Sequence, residues 1–142
     1  MTSPISMLRA TDLRATDRSG FILVVEDELV IRELVCEVLE SEGFTTQAEE
    51  NADCTLDFLN RQSGNVSLLL TDVNMPGRMN GADLARTSTL LWPSIPIVMM
   101  SGFETRESAG VGQHTMFMRK PFSMDEMLSR VRSALAGQAL VQ

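Results

Sequence analysis

From Phe21 onward the chain alternates between two kinds of hydrophobic pattern. Short, nearly uninterrupted apolar runs occur at 21–25 (FILVV), 66–71 (VSLLLT), 95–100 (IPIVMM) and 115–118 (TMFM), with a weaker run at 44–48 (FTTQA). Runs of this length, without polar alternation, are what strands look like when both faces of their sheet are covered. Between them, apolar residues recur at helical spacing. Ile31, Leu34, Val35, Val38 and Leu39 follow the pattern of a helix with one buried stripe, and Gly43 stands where such a helix ends. Ala52, Leu56 and Leu59 mark a second helix with Asn51 as its N-cap. The Pro76-Gly77 turn and Gly81 lead into a third helix through Leu84 and Leu90, closed before Pro93. Residues 104–113 are polar and glycine-spaced, which predicts only a short fourth helix. The last amphipathic helix covers 123–136, opened by a capping box of Ser123 and Glu126.

Strands alternating with helices predict βα units and an α/β fold, a parallel sheet with helices on both faces. Right-handed crossovers bring the carboxyl ends of such strands to one edge, where ligands of open α/β sheets bind. Four chemically capable positions fall there: Glu26-Asp27 after the first strand, Asp72 at the end of the third, Ser101 after the fourth and Lys120-Pro121 after the fifth. Carboxylates gathered at one edge repel each other unless a hard cation sits among them, and oxygen ligands from short loops suit Mg²⁺. Asp27, Asp72 and the backbone carbonyl of Asn74 would hold that ion, while Asp72 attacks a phosphoryl group as a carboxylate nucleophile. The Lys120 ammonium and the Ser101 hydroxyl would each stabilise an oxygen of the phosphoryl group in a loose transition state. Pro121 is expected to aim Lys120 inward, through a cis bond. Taken alone, an Asp after a strand is more often a cap than a nucleophile. The four positions together reverse that balance.

Composition narrows the picture further. A chain of 142 residues, 44% of them hydrophobic, is expected to fold as one domain with an ample core. The net charge of −7 and a pI near 4.6 lack the clustered Lys and Arg that nucleic acid and anionic membranes require. No apolar run approaches the roughly 20 residues of a membrane span, and the N-terminus has no apolar signal core, so a cytoplasmic protein is expected. Cys36 and Cys54 fall in helical patterns without metal or redox spacing and read as packed free thiols. His114 reads as a loop residue without neighbouring ligands. Most of the ten methionines read as core, although Met75, Met79, Met99 and Met100 beside the site would suit an adaptable contact surface. Residues 1–20 mix Ser, Thr, Arg and Asp without a period and are expected to form a flexible tail. The domain is expected over 21–137, with a short C-terminal tail at 138–142.

The stretches FILVVEDE, LLLTDVNMPG, NGADLA, VMMSG and RKPF, in this order and spacing, resemble the receiver domains of two-component response regulators, over residues 21–136. The resemblance implies a flavodoxin-like, doubly wound sheet of five parallel strands in the order 2-1-3-4-5. It implies that Asp72 is the phosphoacceptor and that Asp27 and the Asn74 carbonyl bind Mg²⁺, with Glu26 as the other member of the acidic pair, acting through water. Ser101 and Lys120 become the pair that responds to the new phosphoryl group, and Phe117 the aromatic that rotates inward behind Ser101. The implied partner is a histidine kinase or a histidine phosphotransfer protein. The signal would leave through protein contacts or onward phosphotransfer, as expected of a stand-alone receiver, with homodimerisation left open. Self-phosphorylation and slow autodephosphorylation are implied, and metabolic turnover is not.

The sequence departs from the family pattern in several places. Glu26 stands where aspartate is commoner, and the loop 75–81 is one residue longer than usual. The segment between Ser101 and Lys120 is short, and Gly110 and Gly112 lower its helix propensity. Phe117 lacks the hydroxyl that a tyrosine would bring. Two other function classes compete with the receiver. A Mg²⁺-dependent phosphohydrolase with an aspartyl-phosphate, in the manner of haloacid-dehalogenase enzymes, needs an acid/base two residues after its nucleophile, where Asn74 cannot transfer a proton. A receiver-fold interaction module working without phosphorylation would have no need of the full site.

Overall fold

The five apolar runs form five parallel strands: β1 Phe21–Val25, β2 Thr45–Glu49, β3 Val66–Asp72, β4 Ile97–Ser101 and β5 Met116–Arg119. They pair in the order β2-β1-β3-β4-β5, the expected doubly wound topology. The structure, a computed structural model, describes residues 20–112 and 115–141, with side chains through residue 137. The intervening helices are α1 Leu29–Ser41, α2 Ala52–Gln62, α3 Gly81–Leu91, α4 Arg106–Ala109 and α5 Met124–Val141. A 3₁₀ turn, Ser63–Asn65, which the hydrophobic pattern does not signal, joins α2 to β3.

The period of two along each strand divides the core. Ile22 and Val24 of β1, Leu68 and Leu70 of β3 and Val98 and Met100 of β4 pack with Val35 and Leu39 of α1 and Met127 and Val131 of α5. Leu23, Val25, Leu69, Ile97 and Met99 point the other way, toward Phe58 and Leu59 of α2, Leu84 and Ala85 of α3 and Ala109 of α4. Central strands are therefore largely apolar, with no polar alternation, because both of their faces are covered. The outer strand β2 is only partly buried, which explains its weak signal.

Local signals hold with small displacements. Asn51 Oδ1 accepts the Cys54 N–H at 2.8 Å, capping α2 as expected. Helix α1 ends at Gly43, whose φ of 96° suits a residue without a Cβ. Within its stripe Val35 and Leu39 are buried and Ile31 and Val38 half-buried, but Leu34 is exposed. Ser123 Oγ accepts the Glu126 N–H at 3.0 Å, while α5 continues to Val141, well past residue 136, into the segment expected to be a tail. Helix α4 is a single four-residue turn closed by Gly110 in the left-handed region, as short as its composition predicts. Cys36 is half-buried and free; Cys54 is free but exposed, correcting the expectation that both thiols are packed. The tail expected over 1–20, except Gly20, and His114 lie outside the described residues. Among the described residues no helix is long and apolar enough to cross a membrane.

One contact fixes the approach of α3 to the sheet. Asn80 and Asp83 form a reciprocal capping box at its start, and the Gly81 N–H donates to the Val73 carbonyl at 2.8 Å. A Cβ on Gly81 would lie 1.6 Å from the Asp72 carbonyl oxygen, so the helix sits against the strand end at a distance only glycine permits. Gly81→Ala is expected to destabilise the fold by ~3 kcal/mol or more in urea titrations. Gly64→Ala, with no neighbour within 4 Å of the new methyl group, should stay within about 0.5 kcal/mol of wild type.

Candidate functional site

Backbone pairing continues past the strands and sets the positions of the residues that follow them. The Val73 N–H donates to the Met100 carbonyl at 3.0 Å, the Lys120 N–H to the Ser101 carbonyl at 2.7 Å, and the Glu26 N–H to the Glu49 carbonyl at 3.2 Å. Within the ladders Val25 pairs with Thr71, Asp72 with Met100 and Ser101 with Arg119. The ends of β1, β3, β4 and β5 therefore lie side by side, and the chemically capable side chains meet there.

Three carboxylates and one ammonium share this edge. Lys120 Nζ lies 2.8 Å from Asp72 Oδ2 and 3.6 Å from Glu26 Oε1. The Lys120-Pro121 peptide bond is cis, as expected. Glu26 is 1% exposed; its Oε2 accepts the Glu28 N–H at 3.1 Å, and its carbonyl accepts Arg32 of α1 at 2.8 Å. Asp72 is also buried, whereas Asp27 faces solvent. One carboxylate oxygen from each of Glu26, Asp27 and Asp72 lies within 4.8 Å of the others. At that separation or closer each ionised pair is opposed by about 3 kcal/mol or more for an effective dielectric constant near 20.

The electrostatic consequences are visible in the acidities. Burial, reinforced by the charge of Asp72, pushes the Glu26 carboxyl from 4.5 up to about 7, against the opposing Glu28 amide and Lys120 ammonium. Burial acts to lower the pKa of the Lys120 ammonium, but the Asp72 and Glu26 carboxylates outweigh it and hold the pKa above its ordinary value. Glu26 Oε1 is buried without a hydrogen-bond donor. A buried oxygen without a hydrogen bond, beside two further carboxylates, is an all-oxygen, hard donor set. Glu26, Asp27 and Asp72 together fit a divalent cation such as Mg²⁺.

The other expected residues are placed less directly. Ser101 is buried, but its hydroxyl donates to the Glu104 carbonyl at 2.8 Å and to Glu104 Oε1 at 3.1 Å. The exposed Asn74 donates its side-chain amide to Glu104 Oε2. That amide and the Ser101 hydroxyl hold the Glu104 carboxyl below its usual range, Asn74 having the larger effect. Phe117 is half-buried, with the Arg106 guanidinium 5.7 Å from its ring centre and Arg130 donating to its carbonyl at 3.3 Å. Sequence reasoning passed over Glu104, which lies in a polar loop without periodicity, and Arg32, whose charge reads as an ordinary solvated helix face. Gly81 was legible only as a helix start.

With this geometry in view, comparison with known proteins is informative. Residues 22–132 match the family model of the response regulator receiver domain. The chain is 33% identical over 131 residues to the alkaline phosphatase synthesis transcriptional regulatory protein SphR of Synechococcus elongatus, covering 85% of this chain and 51% of that protein. It thus spans about half the length of that relative. Its structure is similar to the receiver domain of NtrX from Brucella abortus, with a TM-score of 0.70, 32% identity and coverage of 81% of this chain and 98% of the other. The fold is also similar to a receiver domain protein from Methanospirillum hungatei, with a TM-score of 0.76, 23% identity and coverage of 87% and 98%.

The raised pKa of Glu26 has a measurable consequence. Without a divalent cation, the folded chain keeps this proton up to about 7, whereas the unfolded chain releases it near 4.5. The folded state binds more protons in that window, so stability falls as pH rises from 4.5 to 7. The contribution is on the order of 3 kcal/mol. Urea titrations with a chelator at about pH 5 and about pH 8 should show this fall in wild type and its loss in Glu26→Gln.

Proposed function

This chain belongs to the response regulator receiver domain family, and on that basis we propose that Asp72 accepts a phosphoryl group from a histidine kinase or a histidine phosphotransfer protein. The observation that carries this reading is the Lys120 ammonium 2.8 Å from Asp72 Oδ2, with the Glu26 and Asp27 carboxylates gathered at the same strand ends. One Asp72 carboxylate oxygen attacks phosphorus; the new P–O bond forms as the P–N bond to the donor imidazole breaks, and its electron pair returns to the ring nitrogen. Lys120 opposes the negative charge that accumulates on the phosphoryl oxygens, and Ser101 supplies a hydroxyl donor from β4. Mg²⁺, held by Asp27, Asp72 and the Asn74 backbone carbonyl with Glu26 as the fourth contributor, supplies charge neutralisation when bound.

Phosphorylation replaces the single negative charge of the Asp72 carboxylate with the about −1.5 to −2 of a phosphoryl group, placed farther from the backbone, and so biases a local two-state element. In this reading Ser101 turns to the phosphoryl group, and Phe117 leaves the Arg106 guanidinium to rotate inward behind it. The signal leaves through protein contacts or by onward phosphotransfer, in the cytoplasm. Chemistry of the domain itself is limited to its own phosphorylation and slow dephosphorylation, since Asn74, two residues beyond Asp72, offers no acid/base to speed hydrolysis. SphR is named as a transcriptional regulatory protein, and its likeness supports a role in two-component signalling.

Intact-mass spectrometry after incubation with acetyl phosphate tests the reading. Wild type is expected to gain a single phosphoryl mass only with Mg²⁺ present, and Asp72→Asn to gain none. Lys120→Ala should be phosphorylated about a hundredfold more slowly. A gain that persists in Asp72→Asn would overturn the assignment.

A further inference from the structure

Ser101 and Asn74, two residues given roles by the phosphoacceptor reading, are both engaged by a residue to which that reading assigns nothing. Glu104 uses all three of its acceptor oxygens on them. Its carbonyl and Oε1 share the Ser101 hydroxyl, at 2.8 and 3.1 Å, while Oε2 takes the Asn74 side-chain amide. The contact ties the loop after β4 to the loop after β3, across 30 positions of sequence.

Proton counting makes this arrangement exclusive. A serine hydroxyl carries one proton, and a phosphoryl oxygen can only accept it. Ser101 therefore donates either to Glu104 or to a phosphoryl group on Asp72. The contact with the Glu104 carboxylate, unlike that with its carbonyl, is charge-assisted, which makes it stronger than an ordinary neutral hydrogen bond. Glu104 is also a fixed negative charge near the place where phosphoryl charge would appear, so the two states oppose each other electrostatically. Besides these contacts the loop is held by Arg119, which donates to the Gly102 carbonyl at 3.0 Å, and by the Thr105 cap of the one-turn α4.

We infer that Glu104 is a positioning residue that holds Ser101 and Asn74 in the resting arrangement, and that Ser101 reaches the phosphoryl group only after its contacts with Glu104 break. This inference rests on the phosphoacceptor reading of Asp72. Removing the Glu104 side chain takes away the charge-assisted half of the Ser101 contact and the tie to Asn74, leaving only the neutral carbonyl acceptor at 2.8 Å, so the hydroxyl leaves more readily to serve the transition state. It also removes a charge that repels an anionic donor, an effect independent of Ser101, and the two contributions are separable by mutating both residues.

The test compares phosphorylation of Asp72 by acetyl phosphate and Mg²⁺ in wild type, Glu104→Ala, Glu104→Gln and each of these with Ser101→Ala, followed by intact mass over time. Glu104→Ala is expected to react about tenfold faster than wild type, the equivalent of losing one charge-assisted hydrogen bond. Glu104→Gln should fall between the two, because a single amide oxygen cannot accept from both Ser101 and Asn74. In the Ser101→Ala background most of the acceleration should vanish, which a merely electrostatic or merely structural role of Glu104 would not produce. Thermal unfolding verifies that all variants fold. An unchanged rate in Glu104→Ala, or an acceleration of the same size without Ser101, would overturn the inference and leave the receiver reading intact. A wild type that gains no phosphoryl group at Asp72 would overturn both.

Discussion

The Lys120 ammonium, held 2.8 Å from the Asp72 carboxylate, joins the strand at one side of the sheet to the strand at its centre. Everything else at this edge is arranged around the charge imbalance that the pair leaves. One ammonium faces three carboxylates, and two of these, Glu26 and Asp72, are buried. The burial that raises the Glu26 pKa favours its protonated form, and together with Lys120 this eases the repulsion in the resting chain. The same imbalance gives a divalent cation a reason to bind.

Holding that cluster together is a property of the sheet rather than of the loops. Apolar side chains alternate between two cores on opposite faces, so the strands cannot slip by one residue without turning both sets of side chains the wrong way. With register held, Asp72, Ser101 and Lys120 are delivered to neighbouring places by main-chain hydrogen bonds alone. The approach of α3, limited by Gly81 against the Asp72 carbonyl, then closes one side of the site. Rigid strands supply position, while loops supply the groups that must move, a division seen widely in α/β proteins.

Against that background the contrast between Lys120 and Ser101 is informative. Lys120 is already in contact with Asp72, whereas Ser101 is turned to Glu104. The former serves charge that exists in every state of the site. The latter is a neutral donor that gains a partner only when phosphoryl oxygens arrive, and until then it satisfies its buried hydroxyl locally. The loop carrying Glu104 runs into the one-turn α4 and is held by individual side-chain hydrogen bonds, which suits a segment whose contacts must exchange.

Much of this was legible from residue order, and the failures have common causes. Continuous apolar runs identified the central strands because burial on both faces removes polar alternation; β2, half-exposed, gave the faintest signal and shifted by one residue. Asn51 and Gly43 announced helix ends, since capping is local chemistry. Leu34 and Cys54, assigned to buried positions, are exposed, because helical periodicity defines a face but not how far a neighbour covers it. Glu104 gave no signal at all. By itself the sequence determined the elements, their parallel arrangement and the acidic, hydroxyl and ammonium groups at the strand ends, all of which follow from periodicity and residue chemistry within a few positions. Only the tertiary structure decided that Glu26 is buried and short of a donor, that Gly81 touches Asp72, and that the Ser101 proton rests on Glu104. Those facts depend on atoms from separate segments meeting within a few tenths of an ångström, and no local pattern along the chain encodes such a meeting.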